Sequence, residues 1–268
     1  RLGWRRFSPG VLPCLMPITL DQIYRYPVKG LTPEPLARVR LAPGQGLPQD
    51  RRFALGLGTN RFDPATPAWM PKTNFLMLMK NEELARLRAR FDAASGVLAI
   101  SAEGKERLRA DLGIASGRAA VEDFFADYMG AATQGRPRLL EAQGHMFSDN
   151  ARKVVSIIGL ASIATLAGAV GSAIDPRRFR ANFLLAGGAP WQEFDWIGRD
   201  FSLGGVRLRG VKAIRRCAAT NVDPESGARN LNLPLALSEK FGHVNMGIYA
   251  EVIEGGEVGI GATLLPPE

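Results

Sequence analysis

Cys217 closes a strand-like run that carries Lys212, Arg215 and Arg216. Neighbouring positive charge favours the thiolate, the form of cysteine that binds metals and attacks electrophiles. A soft thiolate suits a thiophilic metal. On that local evidence alone, an inert packed cysteine is the default reading. Further basic groups fall at turns: Lys29 after Tyr26-Pro27-Val28, Arg51 after Asp50, and the run Arg177-Arg178-Phe179-Arg180-Ala181-Asn182. Arginine side chains and turn N–H groups together grip phosphate well, although each position taken singly reads as a surface charge.

Other catalytic chemistry is scarce. His145 and His243 are the only histidines of the 268 residues, too few for a histidine zinc site and a thin supply of bases for a serine triad. The two cysteines, Cys14 and Cys217, stand far apart, which supports neither a disulfide framework nor an iron–sulfur cluster and points to a reducing, cytoplasmic setting. No phosphate-binding lysine loop or dinucleotide glycine pattern occurs between a strand and a helix. A net charge of +8 favours an anionic partner, but aromatic residues are only 8% and form no basic-aromatic platform, which argues against nucleic acid.

The elements needed to position these groups are short. Strands are expected at 18–26, 37–41, 52–57, 96–101, 182–185, 200–203, 206–214, 246–253 and 258–265, with a hairpin turn at Gly255-Gly256. Helices are expected at Asn81 to Phe91, where Leu84, Leu87 and Phe91 share a face, and at Arg118 to Met129. The uncharged stretch Val154 to Ile174 is long enough to span a membrane, yet its glycines, serines and threonine fit a short strand followed by a helix from about Gly159 better. Residues 1–16 read as a disordered extension with Met16 a natural start, followed by one unit over 17–112 and a second over 113–266. The class is α+β and β-rich, with a barrel in the C-terminal third.

Taken together, these segments resemble the MOSC family, the domain found at the C-terminus of molybdenum cofactor sulfurases and in the amidoxime-reducing component. Tyr26-Pro27-Val28-Lys29-Gly30 and Asp50-Arg51-Arg52-Phe53 resemble the YPVKS and DR elements of its N-terminal β-barrel domain. Arg178-Phe179-Arg180-Ala181-Asn182 is similar to RFRPN. Arg216-Cys217, Thr220 and Val222-Asp223-Pro224-Glu225-Ser226-Gly227 resemble the RC-x-x-T-x-VDP-x-TG signature, and Asn245-Met246-Gly247-Ile248-Tyr249 resembles the C-terminal pattern. Three departures stand out: Gly30 replaces the usual serine, Gly159 stands where relatives often have serine, and Ala262 replaces a Gly-Asp pair.

The resemblance implies a MOSC-like β-barrel packed with an N-terminal β-barrel-like subdomain, and a molybdenum cofactor whose metal is bound by Cys217. It implies that Lys29, Arg51, Arg180 and Asn182 hold the pterin and its phosphate, with Gly30, Ser162, Arg216, Thr220 and Tyr249 also at the cofactor. An association with pyridoxal phosphate is carried at family level only. The implied activity is reduction of an N-hydroxylated or related small molecule, with electrons from a separate ferredoxin-like protein or flavin reductase, because one chain lacks cluster cysteines. A carrier that moves sulfur or cofactor through Cys217 is the alternative.

Overall fold

The computed structural model describes residues 17–267. The extension expected at 1–16, with Cys14, lies outside the described residues. The chain opens with β1 (Thr19–Arg25), β2 (Glu34–Leu36), β3 (Arg38–Leu41) and β4 (Ala54–Gly56), then β5 (Arg88–Asp92), β6 (Val97–Ala102) and β7 (Lys105–Asp111). Helix α1 (Ala115–Met129) and β8 (Arg138–Leu140) follow, then β9 (Val155–Gly159), α2 (Leu160–Val170), β10 (Phe183–Ala186), β11 (Asp200–Leu203) and β12 (Val206–Arg215). Helix α3 (Leu233–Phe241), β13 (Asn245–Glu254), β14 (Gly256–Gly259) and β15 (Leu264–Leu265) complete it.

Eight strands form one sheet in the order β15-β11-β12-β13-β9-β10-β1-β2. The sheet curls shut: Thr19 at the start of β1 bridges Thr263, and Leu264 N–H donates to Ile18 O at 2.8 Å. Closure removes the edges that would otherwise expose unpaired backbone. Its interior is filled by alternate residues such as Leu20, Ile157, Phe183, Leu208, Ile248 and Ala250, all essentially inaccessible. A chain segment from the first unit therefore completes the barrel of the second.

A second core gathers Val28, Phe53, Leu55, Leu76, Leu84, Leu87, Phe91, Ile100, Val121 and Phe125 between the β5–β6–β7 sheet, the β4–β8 pair and α1. Helix α1, expected to belong beyond a boundary at 112, packs into this body. Gly117 allows its approach, since a Cβ there would lie 1.9 Å from Asp111 O. Outside the barrel, α2 and α3 cover Ile158, Leu184 and Met246. No helix among the described residues is long and apolar enough to cross a membrane.

Three sequence expectations fail for identifiable reasons. The 81–91 helix is a 3-10 turn at Glu82–Arg86 followed by β5. Its Leu84, Leu87 and Phe91 are buried as foreseen, but Asp92 accepts from Ala94 N–H and Ser95 Oγ to make a tight turn that pairs β5 with β6. Asn81 accepts from Met77 N–H instead of capping. Gly255-Gly256 is not a hairpin: the chain passes from β13 into β14, which pairs with β3, and a Cβ on Gly255 would meet Leu41 O at 2.6 Å. The strand expected over 258–265 is split, with Gly261 at φ +86°, so that its second half pairs with β11.

Candidate functional site

The YPVK and DRRF segments lie alongside each other. Arg51 N–H donates to Tyr26 O, Lys29 N–H to Phe53 O and Phe53 N–H to Pro27 O, at 2.7, 2.8 and 3.0 Å. Asp50 sits between Gln49 and Arg51, both at positive φ of 66° and 50°. Its carboxylate accepts from Tyr26 N–H at 2.8 Å and pairs with the Arg51 guanidinium. The Arg51 and Arg180 guanidiniums lie 4.7 and 4.3 Å from the Tyr26 ring centroid, a cation–π arrangement. Burial pushes the Tyr26 phenol up to about 12 and brings Arg180 down to about 10, which leaves both neutral and charged, respectively, near pH 7.

These side chains form one wall of a cleft of about 700 Å³ between the two bodies. Its lining contains Lys29, Arg51, Lys72, Arg180, Lys212, Arg215 and Arg216, against the single carboxylate of Asp149. Lys29 donates to Asp149 at 2.5 Å and to Phe147 O at 3.0 Å. Burial pushes the Lys29 ammonium below the ordinary lysine range, against the pull of Asp149. For Asp149, burial works upward, but Lys29, Lys72 and Arg51 outweigh it and hold the carboxyl below its usual range. Arg180 donates from Nη1 to Leu31 O at 2.7 Å, while its buried Nη2 has no partner among the described residues.

Cys217 stands on the opposite wall, where β12 ends. It is half-buried, and its carbonyl accepts from Thr220 N–H and Thr220 Oγ1, both at 3.0 Å. Arg216 uses Nε to reach Met246 O and Nη1 to reach Phe179 O, at 2.9 and 2.8 Å. Met246 and Gly247 face a single residue, Ile214, in a bulge of β13, with Gly247 at φ +72° and no room for a Cβ beside Ile157 O at 2.4 Å. The RC and NMG segments are thus one physical unit.

Lys72, which carried no signal in the sequence, donates from Nζ to Cys217 Sγ at 3.1 Å. Burial works against its ammonium, yet Cys217 and the Asp149 carboxylate prevail and hold it above the ordinary lysine value. Asp149 was equally unforeseen. Both come from stretches without periodic patterning.

Of the ten residues expected at a cofactor, Lys29, Gly30, Arg51, Arg180, Asn182, Arg216, Cys217, Thr220 and Tyr249 line this cleft. Gly30 adopts φ +88°, so the serine expected from the family would be strained there. Asn182 is largely spent on structure, accepting from Ser156 and donating to Tyr24 O at 3.1 Å. Ser162 lies outside this lining. It is fully buried in the first turn of α2, donates to both Glu193 oxygens at 3.0 and 2.9 Å, and accepts from Trp191 N–H at 2.8 Å. The acceptor at this helix N-terminus is the protein's own Glu193 carboxyl group, which also takes the Gly159 N–H at 3.3 Å.

Two family models match the chain: the MOSC domain over residues 142–264 and the MOSC N-terminal β-barrel domain over 17–149. The chain belongs to the MOSC family. Membership gives it a molybdenum-cofactor-associated function. No curated protein matches the chain. Among solved structures, the chain is similar to YiiM from Geobacillus stearothermophilus, at 18% identity and TM-score 0.34, over 42% of this chain and 54% of that one. It therefore spans about half the length of that relative. The YUAD protein from Bacillus subtilis is similar at 13% identity and TM-score 0.44, over 93% and 94% of the two chains.

The donor set of the MOSC cleft fits such a group. No cluster of three or more His, Cys, Asp or Glu able to hold a metal occurs among the described residues. Cys217 supplies the one thiol on the cleft lining, which holds no histidine. The unpartnered Arg180 Nη2 beside Arg51 and Lys29 offers an anionic phosphate a buried donor.

Burial of Glu193 raises its carboxyl pKa despite the Ser162 and Gly159 hydrogen bonds. A carboxyl raised in the folded state binds its proton more tightly there, so stability falls as pH climbs from the unfolded value near about 4.3 through the folded one. Glu193→Gln keeps an acceptor for Ser162 and removes the titration. Its melting temperature relative to wild type should therefore rise with pH across that window; parallel curves would refute the assignment.

Proposed function

We propose that this MOSC protein binds the molybdenum cofactor in the cleft, with Cys217 as the protein ligand to the metal. In this reading it reduces N-hydroxylated or related oxygenated small molecules in the cytoplasm, using electrons from a separate ferredoxin-like protein or flavin reductase. The observation that carries it is the pairing, in one cleft, of the half-buried Cys217 thiol with the unpartnered Arg180 donor and its cationic neighbours. When bound, the cofactor supplies the two-electron redox chemistry. Lys29, Arg51 and Arg180 neutralise and orient its phosphate, while Asn182 ties β1 to β9 behind them. Lys72 stabilises negative charge on the Cys217 sulfur, and Thr220 fixes the Cys217 carbonyl so that the sulfur faces the cleft. Arg216 anchors the strand beneath.

Reduction of benzamidoxime by cofactor-loaded protein with an artificial reductant tests the reading. Turnover at least about tenfold above a Cys217→Ser control is expected for a metal ligand, and equal rates would reject it. The Lys72 contact also suits a second reading, a sulfur or cofactor carrier in which Cys217 Sγ is the transfer point. Intact-mass measurement separates the two, because a persulfide on Cys217 without molybdenum favours the carrier.

A further inference from the structure

Strand β12 treats its basic residues in two ways. Toward its start, Arg207 pairs with Asp200 and Glu254, and Arg209 with Asp200 at 2.6 Å. Past Gly210 a bulge inserts Val211, and Lys212 then pairs in register with Tyr249, a residue of the cleft wall. A bulge re-aims the side chains that follow it. Lys212 and Arg215 both reach the cleft, both are exposed, and neither side chain has a hydrogen-bond or ion-pair partner among the described residues. The strand thus matches its basic residues with acids away from the cleft and leaves two cations unmatched at its mouth.

Trp69 lines the same cleft. It is 45% exposed, an unusual state for the largest apolar side chain, and its indole N–H is tied to Ser148 O at 3.2 Å. Arg51 and Arg180 are half-buried and stacked together on the Tyr26 ring, whereas Lys212 and Arg215 are exposed, so the two pairs of cations differ in burial and in partners.

We propose that Lys212 and Arg215 form an outer anion subsite, and that the substrate class is a small organic anion. A carboxylate, sulfonate or phosphate would meet the two cations, and the apolar or aromatic body carrying it would rest against Trp69. The proposal rests on the reading of the cleft as a substrate site and names which substrates it takes. Two exposed ion pairs acting together correspond to a preference of about tenfold.

Calorimetric titration of the protein as purified with benzamidoxime and with 4-carboxybenzamidoxime tests this by binding, without turnover. The carboxylated probe should bind about tenfold tighter, and the preference should shrink with added salt. In K212Q/R215Q, with an unchanged melting temperature, the preference should disappear. Equal or absent binding of the two probes to wild type overturns the proposal. So does a preference that survives in the double variant, which would belong to the inner cations. A probe preference without turnover would count against the reductase reading and leave the subsite standing.

Discussion

Produced in cells that make the cofactor, Cys217→Ser is expected to carry about tenfold less molybdenum than wild type, or less still, with an unchanged fold. Serine is nearly isosteric and the site is only half-buried, so a melting curve should move by no more than about 0.5 kcal/mol of stability. The metal should respond far more, because a serine hydroxyl stays protonated near neutral pH and is a hard donor. The substitution leaves untouched Lys29, Arg51 and Arg180, the cleft cations proposed to hold the cofactor phosphate. Elemental analysis of the two purified proteins reads the outcome. Equal molybdenum in both would remove Cys217 from the metal and leave it as a transfer thiol.

The motifs were legible because each is a piece of backbone chemistry. YPVK and DRRF are bonded to each other, and RC is bonded through Arg216 to the bulge at Met246-Gly247, so segments far apart in sequence carry fixed residue types. Most strands were legible from alternation and turn residues. The 81–91 segment was not, since Leu84, Leu87 and Phe91 satisfy a helical face and the surrounding sheet together, and pairing with β6 decides. Helix α3 did carry a signal: Asn232 accepts from Leu235 N–H, Pro234 sits in the first turn, and Gly242 ends it at φ +72°. Lys72 had none. It reaches Cys217 across 145 residues from the short 3-10 turn Lys72–Asn74, a contact that exists only once two bodies have docked. The Ser162–Glu193 bond had none either, since the two lie 31 residues apart with no spacing to reveal the pair.

Arg178 braces the loop that follows Cys217. Only 5% exposed, it donates from Nη1 to Asn221 O at 3.0 Å and Thr220 O at 3.4 Å, and from Nη2 to Asp223 at 3.0 Å and Asn230 at 2.6 Å. Asp223 in turn accepts from Glu225 N–H, Ser226 N–H and Ser226 Oγ, which shapes the VDPESG turn. Arg178→Met fills similar space but removes the donor that Asp223 Oδ2, the Asn230 amide oxygen and two carbonyls share. Arg178 is buried but its Asp223 partner is 23% exposed, so the loss is set by hydrogen bonds to a charged group, about 2 to 3 kcal/mol, and the urea midpoint should fall accordingly. Arg88, paired with Glu225 at 40% and 56% side-chain exposure, provides the contrast: Arg88→Gln should cost no more than about 1 kcal/mol. Because Thr220 holds the Cys217 carbonyl, loosening its loop should also speed alkylation of Cys217, measured in a Cys14→Ser background. A midpoint loss with unchanged alkylation would limit Arg178 to stability. Equal effects of the two arginine substitutions would mean that the buried fork around Arg178 is no stronger than a surface pair.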